Sequence, residues 1–282
     1  MFRTILNRSF LVVRNSQQQQ SKLLSLNVRY YSNRNEHVVK TNSNEGDEIL
    51  KKYKQQQQQL KQQQQQNDPS IKVDESLLKY EPSEKNIMKI DELVDPAKQK
   101  WYLKLMGLYT KDTLFLNISH SIYDSIAIHT SNPALYKSVG LPLTVRSWFA
   151  MTLLHMWMVF VRLRKDGKVA NKLSTDIYDR FWEDLEKRIV RGGIQHKFAA
   201  KYLKEFYTNY LGSVVAYDEG LFDDVIMADA LWRNLLAMSE DASMSQIDFM
   251  VKYIRVQLNK LDNSPNVGTR GEITFDDVST IQ

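Results

Sequence analysis

The chain has 282 residues, a length that fits one domain of ordinary size with additional segments. It contains no cysteine, which excludes disulfide bonds, cysteine-based zinc sites, iron–sulfur clusters and a thiol nucleophile. Its formal net charge of +5 comes from 38 basic and 33 acidic residues, and it indicates nucleic-acid binding only if the folded part carries the surplus.

The basic surplus lies at the N-terminus. Residues 1–66 carry eleven basic and four acidic side chains, which leaves 27 basic against 29 acidic residues, or −2, for the rest. Residues 1–31 contain arginine, serine and short apolar patches but no acid, so we predict a mitochondrial transit peptide. Arg29 stands at the third position before a cut between Tyr31 and Ser32, a pattern typical of the matrix protease. A disordered basic tail is the alternative.

Low-complexity sequence follows the predicted transit peptide. Glutamine tracts at 55–59 and 62–66 and a polar remainder predict a disordered linker over residues 32–82, because this composition cannot bury enough apolar surface to offset its ordering entropy. We expect the folded domain to cover residues 83–275 and a short tail to cover 276–282.

Apolar residues repeat at helical spacing between residues 97 and 262, which predicts an all-α domain, a single bundle of about six helices. Asp223 is a predicted N-cap, and Ser243 with Gln246 has the spacing of a capping box. One short strand is expected at residues 271–275. The predicted helices cover residues 111–129, 143–166, 174–191, 194–216, 224–237 and 244–262.

The apolar run 148–161 is too short to span a membrane, which needs about 20 residues. We therefore predict a central buried helix. A surface for a membrane or a hydrophobic client is the alternative, because Met151, Met156 and Met158 would suit an adaptable contact. His155 lies in this run, and a core histidine is favoured over a haem or metal ligand because no second ligand is near in sequence.

Motifs for catalysis are missing from the sequence. It has no phosphate-binding glycine loop, no nucleophile elbow and no paired zinc histidines. Asp176 and Asp179 have the spacing of a magnesium–diphosphate site, but no second acidic motif faces them. We predict no catalytic, cofactor or metal residues. A basic group around one helix connection is expected to be solvated, with RNA or a membrane surface as the alternative: Lys187, Arg188, Arg191 and Lys197.

Several short motifs, in order and at matching spacing, are similar to those of the ubiquinol–cytochrome c chaperone family. The resemblance is good over residues 143–262 and weaker outside them. The motifs are Trp148-Phe149, Thr152 to Met158, Val161-Arg162, Lys165-Asp-Gly167, Phe181-Trp-Glu-Asp184, Tyr217-Asp-Glu-Gly220, Ala230-Leu-Trp-Arg233, and Tyr253-Ile-Arg255 with Leu258 and Leu261-Asp262.

This resemblance implies an assembly factor for respiratory complex III, without enzymatic activity or cofactor. It implies a location on the matrix side of the mitochondrial inner membrane, with peripheral membrane contact and no DNA binding. The implied partners are newly made cytochrome b, a small helical assembly factor and the mitochondrial ribosome near its exit. A prenyl-diphosphate transferase and a ribosome-binding translation factor are the alternatives. The candidate client or partner contacts are Trp148, His155, Trp157, Glu183, Asp184, Tyr217, Asp218, Glu219, Trp232 and Arg233.

Overall fold

The computed structural model describes residues 74–82, 88–237, 239 and 242–281. The predicted transit peptide and the glutamine tracts lie outside these residues. All regular structure in the described part is helical, which confirms the predicted fold class.

Ten α-helices occur in the described residues, and six of them have eleven residues or more, in agreement with the predicted number. They are α1 (Ile90–Val94), α2 (Trp101–Leu105), α3 (Lys111–Thr130), α4 (Pro133–Lys137), α5 (Val145–Leu163), α6 (Lys168–Arg191), α7 (His196–Glu219), α8 (Asp224–Asn234), α9 (Met244–Asp262) and α10 (Val267–Arg270).

The local signals in the sequence explain where several helices begin. Asp223 caps α8 by accepting hydrogen bonds from the backbone N–H groups of the next turn, as predicted. Ser243 and Gln246 form the predicted reciprocal capping box at the start of α9. Helix α6 begins six residues before the predicted start of 174, because Ala170 and Leu173 extend its buried face towards the turn at Gly167.

The predicted strand at residues 271–275 is wrong. The segment has no regular secondary structure, and its only buried hydrophobic side chain is Ile273. Backbone groups next to this segment pair with a side chain instead of with a neighbouring strand: the Asp276 N–H donates to Gln257 Oε1 (3.0 Å) and Gln257 Nε2 donates to Asp276 O (3.1 Å). A lone segment packed on helices has no partner with which to form a ladder.

Helix α5 is the centre of the domain, as its composition predicts. Sixteen of its nineteen residues are buried, and Met151, Met156 and Met158 are among them. The methionines therefore fill the core and do not form an exposed client surface. Among the residues that the structure describes, no helix has the length and hydropathy of a membrane span.

Residues 74–80, which the sequence assigns to the linker, pack against the helices. We call them the N-terminal strap. Leu77 and Leu78 belong to the hydrophobic core, and the Tyr80 hydroxyl donates to Asp124 Oδ1 (2.5 Å). The Arg188 guanidinium donates to the carbonyl of Leu77 from α6. The strap is thus tied to α3 and α6 by both apolar and polar contacts.

Candidate functional site

The ten candidate contact residues divide into a buried group and an exposed group. The buried group joins the central helix to its neighbours: Trp148, His155, Trp157, Asp184 and Tyr217. The other group is exposed or half-buried and lies on α6, α7 and α8: Glu183, Asp218, Glu219, Trp232 and Arg233.

Trp148 and Asp184 belong to one buried ion-pair network. Arg188 Nε and Nη2 lie 3.1 and 3.2 Å from the two carboxylate oxygens of Asp184, and the Tyr123 hydroxyl donates to Oδ2 (2.9 Å). The guanidinium carbon of Arg188 lies 4.1 Å from the centroid of the Trp148 ring. Burial and the nearby Asp184 charge raise the pKa of Tyr123 well above its ordinary value. These residues hold helices together.

The predicted solvated basic group is wrong for Arg188. Its side chain is fully buried, because a carboxylate one turn earlier on α6, Asp184, offers a bidentate partner inside the core. Lys187 and Arg191 are exposed, as predicted. The side chain of Lys197 lies outside the described part of the chain.

His155 is held in a buried histidine–tyrosine–histidine chain. Its Nδ1–H donates to Met151 O (2.8 Å), so Nε2 accepts from the Tyr253 hydroxyl (2.7 Å). Nε2 of His129 lies 2.9 Å from the same hydroxyl oxygen, to which it therefore donates. Burial lowers the pKa of His155 to about 3 and that of His129 to about 4. Both ring nitrogens of His155 have protein partners, as expected for a core histidine.

Asp218 ties the end of α7 to α5. One carboxylate oxygen accepts from Trp157 Nε1 (2.8 Å) and from Arg164 Nη2 (2.6 Å). Tyr217, next to it, is buried with its ring centroid 5.5 Å from that of Trp157. The contacts of Asp218 therefore stabilise the fold. Glu219, by contrast, is exposed and available for contact with a partner.

The turn after α7 brings two of the sequence motifs to one surface. A Cβ on Gly220 would lie 2.7 Å from the Cα of Met227, so only glycine allows α8 to approach this closely. Arg255 of α9 closes the turn by donating to the carbonyls of Gly220 (3.0 Å) and Leu221 (2.5 Å). The Tyr217-to-Gly220 motif thereby positions the helix that carries Trp232 and Arg233.

Helix α8 and its preceding turn expose a group of large apolar side chains, which we call the α8 surface: Phe222, Val225, Ile226 and Trp232. Their exposed fractions are 95%, 79%, 41% and 36%. Val225, Asp229 and Trp232 recur at steps of four and three along one helix face. Asp229 lies within this face and pairs with Arg233 (2.6 Å).

The contacts predicted from the sequence do not include Phe222, Val225 or Ile226. The core face of α8 is made by Met227, Ala230 and Leu231. Val225 and Trp232 are seven residues apart, so they share a helix face that is distinct from the core face. This spacing was the signal in the sequence that could have indicated a second apolar face.

In the described part of the chain, no three histidine, aspartate or glutamate side chains lie close enough together to hold a metal ion. Asp176, half of the pair with diphosphate-site spacing, accepts instead from Lys172 Nζ (2.7 Å). The exposed apolar α8 surface is therefore the candidate binding site in this region.

The family model described as Ubiquinol-cytochrome C chaperone matches residues 137–270, the part of the chain from α4 to α10. Residues 137–270 are therefore similar to the ubiquinol–cytochrome c chaperone family. Both of the motifs that meet at the α8 surface fall inside the matched residues.

Curated relatives agree with this family. The chain is 34% identical over 128 residues to "Ubiquinol-cytochrome-c reductase complex assembly factor 1" of Xenopus laevis, covering 45% of this chain and 64% of that protein. It is 29% identical over 180 residues to the mouse protein named as assembly factor 1, covering 62% and 56%. It is 34% identical over 143 residues to "Protein CBP3, mitochondrial" of Saccharomyces cerevisiae, covering 48% and 42%. The chain thus spans less than two thirds of each of these relatives.

A solved structure shares the fold. The Cbp3 homolog from Brucella abortus superposes with a TM-score of 0.55 over 64% of this chain and 99% of that chain, at 23% sequence identity.

Proposed function

We propose that this chain is a mitochondrial chaperone that promotes assembly of ubiquinol–cytochrome c reductase, respiratory complex III. The match of residues 137–270 to the chaperone family supports this proposal, as do the names of the relatives from frog, mouse and yeast. Its acid-free, arginine-containing N-terminus supports a mitochondrial location.

The state of the motif residues favours binding over catalysis. His155 and Asp184, which have the chemistry of general acids and bases, are buried and engaged with protein partners. Asp218 is held by Trp157 and Arg164. The turn after the Tyr217-to-Gly220 motif and helix α8 present large apolar side chains to solvent, and an exposed apolar patch on a rigid helix is typical of a protein-binding surface.

Newly synthesised cytochrome b is the proposed client, met on the matrix side of the inner membrane near the ribosome exit. An apolar membrane protein exposes surfaces that need shielding until its partners arrive, and a helical domain can supply that shielding without turnover. The resemblance of the motifs between residues 143 and 262 supports this choice of client.

The α8 surface is the proposed docking site for a small helical partner protein. The observation that carries this assignment is the exposure of Phe222 and Val225, 95% and 79%, beside two family motifs. Apolar side chains spaced along one helix face are suited to helix–helix docking, in which each helix packs its apolar side chains against the other. The exposed Glu219 at the end of α7, three residues before Phe222, would favour a basic partner.

Deletion of the gene tests the function as a whole. We expect loss of assembled complex III and reduced accumulation of cytochrome b, with other respiratory complexes assembled normally at first. Crosslinking in mitochondria then separates the alternatives: contacts with ribosomal proteins but never with cytochrome b would indicate a translation factor instead. Magnesium-dependent binding of a prenyl diphosphate would indicate the transferase.

Charge placed on the α8 surface tests the docking site. We expect Phe222→Glu with Val225→Glu to abolish co-purification of the small partner, because two carboxylates would be desolvated in an apolar interface. The thermal unfolding midpoint should be unchanged, since both side chains are exposed in the isolated chain. The same double change at Trp101 and Leu105, also exposed, is the matched control and should retain the partner. Unimpaired co-purification by the α8 variant contradicts the assignment.

A further inference from the structure

A second exposed apolar group lies far along the chain from α8, on the short helix α2. We call it the α2 patch: Trp101, Tyr102, Leu105 and Met106. The exposed fractions are 77%, 46%, 82% and 70%. The rings of Trp101 and Tyr102 meet edge to face, with centroids 6.2 Å apart, so the two aromatic side chains form one surface.

The side chains of the α2 patch point to one side of the helix. At about 100° per residue, the four positions fall within an arc of about 140°. Leu103 lies outside this arc and is half-buried, which places the opposite side of α2 towards the body of the domain. Lys100 and Lys104 lie at one edge of the arc, next to Trp101. The helix is thus amphipathic, with its apolar side facing solvent.

Charge around the α2 patch has one sign. Residues 96–111 contain four lysines and no acidic residue, between Asp95 and Asp112, whereas residues 67–282 as a whole carry 27 basic and 29 acidic side chains. Lys98 contacts Asp95 only at 3.9 Å. No carboxylate in the described part of the chain lies within ion-pair distance of Lys100 or Lys104. The lysine heads are therefore available to an anionic surface.

We propose that the α2 patch docks the chain on an anionic lipid bilayer. Tryptophan and tyrosine are the side chains that settle at the headgroup level, while Leu105 and Met106 reach the boundary of the acyl chains. Lysine stems contribute apolar surface and carry their ammonium groups to the lipid phosphates. The inference rests on the proposed function, because a chaperone for a membrane-protein client works at the bilayer.

The mixture of side chains favours lipid over a protein occupant. Exposed lysine beside exposed tryptophan is common at membrane surfaces, whereas lysine is depleted at the centre of protein–protein interfaces. The patch also lies outside residues 137–270, to which the family model matches.

Vesicle flotation with the purified chain that begins at Ser32 tests this proposal, because the basic, acid-free residues 1–31 would themselves bind anionic vesicles. We expect binding to vesicles of phosphatidylcholine mixed with phosphatidylglycerol, and weak binding to phosphatidylcholine alone. Trp101→Glu with Leu105→Glu should abolish flotation. Lys100→Gln with Lys104→Gln should weaken it about 25-fold, at about fivefold for each lysine near an anionic surface. Vesicles with acyl chains brominated near the headgroup should quench the tryptophan fluorescence of the wild type. The quenching should be smaller in the Trp101→Phe variant.

The α8 variant, Phe222→Glu with Val225→Glu, is the matched control because it places the same charges on another exposed apolar surface. It should float like the wild type, and circular dichroism should report the same helical content for every variant. Equal flotation with neutral vesicles, flotation that survives Trp101→Glu with Leu105→Glu, or equal loss in both variants would overturn the proposal. A wild-type protein that co-purifies with its partner and cytochrome b but does not float with anionic vesicles would overturn the lipid proposal alone. A wild-type protein that floats but co-purifies with neither would overturn the proposed function alone.

Discussion

At the scale of single residues, the polar groups of the motifs explain the fold better than they explain recognition. Asp184 neutralises a buried guanidinium, Asp218 joins two helices, and His155 shares one tyrosine hydroxyl with His129. A buried pair of this kind is costly to break, because removal of one partner leaves the other charge unpaired in the core. These side chains are therefore fixed by packing, and their substitution would reduce stability before it affects a partner.

The two histidines that contact the Tyr253 hydroxyl, buried His155 and half-buried His129, predict acid sensitivity. Burial lowers the pKa of His155 to about 3, whereas its unfolded value is near 6.5. The folded state thus binds fewer protons below pH 6.5, so stability is intact above that pH and falls as the pH drops towards 3. At pH 5 the loss from His155 alone is about 2 kcal/mol, and His129 adds to it.

Urea unfolding at pH 7.5 and pH 5 measures this dependence. His155→Gln removes one titrating group and keeps an amide that can reach Tyr253, so its free energy of unfolding should change less between the two pH values, by about 2 kcal/mol. An equal pH dependence in the wild type and the variant would show that His155 does not titrate as described.

At the scale of helices, the long elements could be predicted from sequence. The pattern at 244–262 gave α9 with its capping box, because one apolar face and one N-cap agree there. The shorter helices, α1, α2, α4 and α10, could not be predicted. Four or five residues make little more than one turn, which is too short for a repeat of apolar residues to show. Whether Ile226 or Met227 faces the core depends on the direction from which α9 packs, and that is a tertiary property.

Two glycines on α7 and at its end provide a paired test of the helix connection. Gly220→Ala would bring a Cβ to 2.7 Å from the Cα of Met227, so we expect a loss of about 1–3 kcal/mol as α8 is pushed away. Gly212→Ala has nothing within 4 Å and lies inside a helix, so we expect a gain of about 0.5–1 kcal/mol.

Chemical denaturation of both glycine variants measures these changes. Partner co-purification should follow the same order, because Gly220→Ala displaces the α8 surface and Gly212→Ala does not. A neutral Gly220→Ala would contradict the close approach of the two helices.

At the scale of the whole molecule, the described part of the chain has two exposed apolar groups of different character. The α8 surface has acidic neighbours and the α2 patch has lysine neighbours. The family motifs indicated the region of the α8 surface, which lies inside the matched residues. They did not indicate the α2 patch, which lies outside them. The sequence of a short apolar helix such as α2 is equally compatible with a buried segment. Its exposure to solvent is therefore visible only in the structure.

The N-terminal strap has a consequence for the order in which the chain folds. Synthesis and import both deliver the strap early, N-terminus first, yet the Arg188 guanidinium that donates to the Leu77 carbonyl follows 111 residues later. Leu77 and Leu78 consequently have no completed core to enter until most of α6 has been synthesised. Closure of the domain is therefore a late, long-range event, and such events are slow because the loop must be closed before its contacts form. A chain that begins at residue 83 would never complete that step.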